Sequence, residues 1–247
     1  MVQVHHNRSR VGNVMSKYVL LPSVVKRIKY ALQHKRAFSL VRIGDGENIV
    51  LAQQTVWPLR KVLKLPWAIR SNRGHKGIAL PNLRIQNQIV RSIRKATIVG
   101  ILPYNDQMIQ APPYLKRKLT DQVFKYYKLQ PKLTCHACVN RIMVRKLSFF
   151  RMLKGKRILI INRHPNHIKS VLEQRPYRLH ITAVIPFSNY TQINRTIRKV
   201  VTLQNSFDIA LISCGVSAVI LAPKIASLTG KVAIDFGKAP RFVRKGH

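Results

Sequence analysis

Acid is what this sequence lacks. Its 247 residues hold seven Asp and Glu against 45 Lys and Arg, a formal net charge of +38. Such an excess draws polyanions to the chain, whether nucleic acid, anionic lipid or a phosphate-rich substrate, without choosing among them. Cysteine is sparse too: Cys135, Cys138 and Cys214. Three thiols do not make a disulfide framework, so a reducing, cytoplasmic setting is expected. The first residues carry no apolar run of the signal-peptide kind, and no such leader is expected. The longest uncharged stretch extends only from Ile209 to Pro223, short of the roughly 20 residues that cross a bilayer. No transmembrane segment is expected, while peripheral attachment to an anionic membrane surface through basic residues stays open. Neither Gly-x-Gly-x-x-Gly nor a Walker lysine pattern occurs, so dinucleotide-binding and ATP-hydrolysing readings lose their main support.

What is present is an apolar fraction of 46%, enough for a globular core at this length. No long linker and no internal repeat interrupts it. The expected organisation is a flexible basic tail over residues 1–14 and one domain over 15–247. Leu21, Val25, Ile28 and Leu32 recur at helical spacing. Short apolar strands are expected at Phe38–Ile43, Ala96–Leu102, Lys156–Ile161, Ile181–Ile185, Asp208–Ser213 and Val232–Ile234. Helices are expected between them: over Asn48–Gln54, after a cap at Asn82, over Tyr114–Tyr127 and Val139–Leu153, and after Thr191. Pro223 falls inside the last helix, where a kink or break is expected. Strands alternating with amphipathic helices predict an α/β, Rossmann-like fold with a mostly parallel sheet flanked by helices.

Ligands of such sheets bind beyond the carboxyl ends of the strands. Four segments meet that condition: Gly44–Asn48, Pro103–Asp106, Cys214–Ser217 with Gly215, and Asp235. The first is the most telling. Two of the seven acids stand one apart in Arg42-Ile43-Gly44-Asp45-Gly46-Glu47. A pair of carboxylates among so many cations suits a divalent metal with oxygen ligands, and Gly44 and Gly46 let the backbone approach a ligand closely. The alternative is a turn salt-bridged to Arg42. Arg73, Lys76 and Gly77 lie on a glycine-flanked basic loop that is either a phosphate contact or a solvated surface.

These blocks resemble the Arg-x-Gly-Asp-Gly-Glu signature of the GT-D-fold glycosyltransferases. Lys76-Gly77-Ile78-Ala79-Leu80-Pro81-Asn82, the strand Ile98-Val99-Gly100-Ile101, and the pair Asp208–Gly215 and Val232–Gly237 resemble the same family in the same order. The resemblance implies a GT-D-type fold and a metal-dependent transferase that takes a sugar from a nucleotide-sugar, typically a UDP-sugar, to an unidentified glycan, protein or polymer acceptor. It implies Asp45 and Glu47 as ligands of a divalent ion, commonly manganese, with magnesium as the substitute. Arg42, Gly44, Gly46, Arg73, Lys76, Gly77 and Gly215 then become candidate donor contacts. Some relatives carry histidine where this chain has Lys238. An inverting transfer needs a general base near the acceptor hydroxyl, and Asp235 and Asp106, both at strand ends, are the candidates.

The competing reading is a non-enzymatic polyanion-binding protein, nucleic acid being the obvious partner. No helix-turn-helix and no aromatic RNA-binding signature supports it. Cys135, Cys138, His164 and His167 have the residue types of a zinc site, but buried thiols and exposed loop histidines are the simpler reading. Trp57 and Trp67 flank a basic stretch; packing is the simpler reading for both, against stacking on a base or sugar.

Overall fold

A computed structural model describes residues 10–11 and 14–243. Arg10–Val11 (β1) pairs antiparallel with Val14–Met15 (β2); the other positions of the expected tail lie outside the described residues. Eight further strands form one sheet: Lys17–Tyr18 (β3), Phe38–Ile43 (β4), Ile98–Ile101 (β5), Leu133–His136 (β6), Arg157–Asn162 (β7), His180–Pro186 (β8), Ile209–Ser213 (β9) and Val232–Asp235 (β10). Their order is β3-β6-β5-β4-β10-β9-β7-β8, and every neighbouring pair is parallel. All eight therefore end at the same edge, with β4 and β10 side by side in the middle.

The helices are α1 (Leu21–Gln33), α2 (Asp45–Ala52), α3 (Leu59–Leu63), α4 (Pro66–Asn72), α5 (Leu83–Lys95) and α6 (Arg117–Tyr126) in the first half. The second half adds α7 (Val139–Met143), α8 (Leu147–Leu153), α9 (Pro165–Glu173), α10 (Ile193–Thr202) and α11 (Ser217–Thr229). Successive strand residues point to opposite faces. In β4, Val41 and Ile43 join the core beneath α2, α5, α6, α10 and α11, whereas Phe38 and Leu40 join the core beneath α1, α7, α8 and α9. A parallel sheet covered on both sides accounts for the nearly unbroken apolar strands.

Six of the strands fall where the apolar runs predict them. β3 and β6 do not: each is short, and Leu133-Thr134-Cys135-His136 mixes polar and apolar residues. The helix expected over Val139–Leu153 is two helices separated at Val144–Lys146. Tyr114–Tyr127 opens with a 3-10 turn at Pro113–Leu115 before α6. Asn189, not Thr191, caps the entry to α10, accepting from Thr191 N at 3.0 Å. Pro223 does not break α11, which runs through it as one helix. Asn82 caps α5 as expected, its Oδ1 accepting from Ile85 N at 3.0 Å.

Candidate active site

β4 passes directly into α2, so the acid pair is not a loop. Asp45, Gly46 and Glu47 are the first turn of the helix and Gly44 is its cap. Gly44 N–H donates to Glu47 Oε2 at 2.9 Å, which closes the turn and leaves Oε1 free of that bond. Two acids at a helix N-terminus also complement its positive end. Gly46 is required by a close approach: a Cβ there would stand 2.9 Å from the ring of Trp67 in α4. The indole of Trp67 is thereby pressed onto the acid turn.

Arg42, just upstream in β4, does not pair with either of these acids. Its Nη2 donates to Asp235 Oδ1 at 2.8 Å, its Nε to Asp235 O at 3.1 Å, and its Nη1 to Asn140 Oδ1 at 3.2 Å. Asn140 in turn donates to Phe236 O at 2.6 Å. The guanidinium thus ties β4, the end of β10 and α7 together. Burial pushes the Asp235 carboxyl up and Arg42 pulls it back. Asp235, expected as a candidate base, is 1% exposed and held by the Arg42 guanidinium. Asp106, the other candidate, is similarly engaged. It is 6% exposed, pairs with Lys116 Nζ at 3.1 Å, and accepts from Met108 N and Ile109 N. Both carboxylates hold chain segments in place.

The remaining acids follow the same pattern. Asp121 pairs with Arg117, Asp208 with Arg157 and Glu173 with Lys169. Five of the seven acids are thus ion-paired. Among the described residues, Asp45 and Glu47 are the two that have no cation within salt-bridge distance. Burial, with repulsion from Asp235 and Asp45, pushes Glu47 up to about 7, against the pull of Arg42 and the Gly44 N–H.

Cations nonetheless stand nearby. Lys76 is half-buried, and the pKa of its ammonium is lowered by burial and then by Arg70, Lys238 and Arg241, with Asp45 opposing. Arg73 is an exposed C-cap residue of α4. Gly77 O accepts from Tyr190 N at 2.8 Å, and its Cα sits against the Ser188 carbonyl, so this glycine docks two loops together. Gly215 makes the turn from β9 into α11.

A family model of the GT-D fold-like domain matches residues 21–243. The chain belongs to this family. No curated protein matches it in sequence. Among solved structures, a selenomethionine-substituted domain of unknown function 1792 superposes with a TM-score of 0.59 at 17% identity, covering 92% of this chain and 80% of the other. A structure described as a new glycosyltransferase of the same domain, from Streptococcus sanguinis, superposes with a TM-score of 0.55 at 14% identity, covering 88% and 81%. At these identities the likeness is one of fold.

Within this GT-D fold-like chain the acid turn fits a divalent ion of the substrate-chelating kind. No group of three or more His, Cys, Asp or Glu gathers among the described residues, so an all-protein cage is not built. Two carboxylates without a cation partner in one helical turn, one of them pushed up by burial and by its acidic neighbours, form a donor set that a cation would relieve. Phosphate oxygens and water would complete the coordination. The four zinc-type residues behave as the simpler reading has it. Cys135 and Cys138 are buried, burial pushes Cys135 up to about 12, and His164 and His167 are exposed. Sequence reasoning missed Arg70 and Arg241, and it set Arg42 against the acid turn rather than against Asp235. It named Trp67 and Lys238 without joining them to the acid turn. The available signal was Trp67–Arg70 spacing on one short helix, one turn apart.

Proposed function

We propose that this chain is a glycosyltransferase that moves a sugar from a nucleotide-activated donor, a UDP-sugar, to an acceptor hydroxyl. A divalent ion, manganese with magnesium as substitute, is held by Asp45 and Glu47. The observation that carries this reading is the distribution of counter-charge. In a chain with 45 Lys and Arg, five acids are ion-paired and the two left open adjoin one another at the end of a central strand.

An ion held there would supply Lewis-acid stabilisation to the departing diphosphate. The chain's own residues do the rest. Lys76 offers a half-buried ammonium, within electrostatic reach of Asp45, for a phosphate oxygen. Trp67 closes one side of the acid turn with an apolar ring. The Arg42–Asp235 pair keeps β4 and β10 in register under the site. A panel of nucleotide sugars with manganese, read by thermal shift and by nucleotide release, tests the reading. UDP-sugars should raise the melting temperature and release UDP, and Asp45→Asn should abolish both effects. Equal release by Asp45→Asn would overturn it.

The surface charge supports a second role, peripheral association with polyanions or an anionic membrane face. Helices α5 and α10 flank α11, contain no acid, and expose Arg91, Arg94, Lys95, Arg195, Arg198 and Lys199. Among the described residues no helix is long and apolar enough to cross a membrane. Binding through this layer would weaken steeply with salt, which a titration against anionic vesicles and duplex DNA measures.

A further inference from the structure

The transferase reading leaves the acceptor unnamed, and the charge around the acid turn names its chemistry if that reading holds. Four cations from three segments lie within electrostatic reach of one another, and the Lys76 among them also feels the charge of Asp45. Arg70 lies one turn beyond Trp67 in α4, Lys76 in the loop that follows, and Lys238 and Arg241 beyond β10. The convergence follows from topology. β10 is hydrogen-bonded beside β4, with Ile234 opposite Leu40, so the chain leaving β10 emerges next to the chain that carries Asp45. Gly237, at φ +48, lies against the Arg42 guanidinium, with no room for a Cβ. That contact fixes where Lys238 begins. Arg241 N donates to Lys238 O at 3.1 Å, which keeps the two cations on one turn.

Charge must balance across the loaded site. A divalent ion cancels the diphosphate it chelates. Asp45 and Glu47 then offset two of the four cations. No other carboxylate is available for the rest, because the five remaining acids are bound to Arg42, Lys116, Arg117, Arg157 and Lys169. Lys76 is half-buried and feels the charge of Asp45, whereas Lys238 and Arg241 are exposed. A surplus of positive charge at the rim of a site suits a second anion.

We infer that the acceptor carries a phosphate or an equivalent anionic group, seated on Lys238 and Arg241 while its hydroxyl faces the donor. The group belongs to a sugar phosphate or to a repeating phosphodiester polymer, and one experiment separates the two.

The protein is saturated with UDP and manganese and titrated calorimetrically with glucose, glucose 6-phosphate and polyphosphate. The expected result is binding of glucose 6-phosphate about tenfold tighter than glucose, the size of effect a charge-assisted contact supplies. Polyphosphate binding tighter than the monomer identifies a polymer; weaker binding identifies a sugar phosphate. Lys238→Gln with Arg241→Gln should erase the preference and leave UDP affinity within about twofold. Lys26→Gln with Arg27→Gln, exposed on α1, should preserve it. Equal binding of glucose and glucose 6-phosphate overturns the inference, as does equal loss in the α1 variant. Loss of UDP affinity in the Lys238/Arg241 variant also overturns it, by assigning both cations to the donor. If the wild-type protein fails to bind UDP with manganese, the transferase reading itself falls and this inference with it.

Discussion

Arg42 and Asp235, 193 positions apart in the chain, meet at 2.8 Å where β4 and β10 end side by side. The pair is a clamp under the site, and its energetics are asymmetric. Removing one partner of a buried pair leaves the other uncompensated, at a cost of about 3–5 kcal/mol. Arg42→Ala should therefore unfold at markedly lower temperature. Asp235→Asn keeps a hydrogen-bond acceptor for the guanidinium and should cost less, about 1–2 kcal/mol. Chemical denaturation measures both. If Asp235 were the base, Asp235→Asn would instead abolish turnover at unchanged stability, and that outcome would remove the clamp role.

Glu47 should trade stability for function. Its folded value near 7 lies above the ordinary 4.5, so the fold favours the protonated acid. The contribution is complete below about pH 4.5 and is lost as pH rises toward about 7. Glu47→Gln keeps the acceptor for Gly44 N–H and removes the buried charge. At pH 8 the metal-free variant should be more stable than wild type by about 1–3 kcal/mol, because each tenfold change in proton affinity is worth about 1.4 kcal/mol and water reaches part of the side chain. At pH 4 the two should coincide. Manganese should raise the melting temperature of the wild type at pH 8 and leave the variant unmoved. A variant less stable than wild type at pH 8 would contradict the cost of burying that charge beside Asp235 and Asp45.

Gly46→Ala should dislodge Trp67. The added Cβ meets the indole at 2.9 Å, and overpacking of this kind costs about 1–3 kcal/mol. Trp57, at 8% exposure, lies off the contact. Any red shift of tryptophan emission therefore reports Trp67. An unchanged emission maximum would mean the ring and the acid turn do not touch.

Much of the fold could be read in advance because each central strand is an apolar run bounded by polar residues, and buried parallel strands must have that composition. β6 escaped because four residues with threonine and histidine among them carry no period. The acid pair stood out against a cationic background, yet its local structure did not. The glycines suggested a loop, whereas Gly46 serves the approach of Trp67 and the turn is helical. Asp235 and Asp106 were legible as strand-end acids but not as partners of Arg42 and Lys116. That pairing depends on contacts between distant segments, and with 45 cations no single arginine or lysine announces which acid it will meet. The same abundance hid Arg70 and Arg241.

Asn48, the residue after the acid pair, should prove as important to the site as the acids. It is fully buried, and its Nδ2 donates to Leu115 O at 2.9 Å, Lys116 O at 3.0 Å and Thr120 Oγ1 at 2.9 Å. Those acceptors lie at the start of α6, so the amide anchors the first turn of α2 to a second helix. It also reaches the segment whose Lys116 holds Asp106. Asn48→Ala takes the side-chain donor from Leu115 O, at about 1–3 kcal/mol, and adds a small cavity, while Lys116 O keeps Leu119 N and Thr120 N as donors. Stability should fall by about 2–4 kcal/mol. Because the turn carrying Asp45 and Glu47 loses its anchor, manganese affinity should fall as well, under conditions where the variant is still folded by circular dichroism. Asn48→Asp supplies no donor to either carbonyl and adds a third acid to the turn. It should therefore not rescue stability, and its deficit should grow as pH rises. A folded Asn48→Ala protein with wild-type manganese affinity would show that the acid turn is held by its own hydrogen bonds alone.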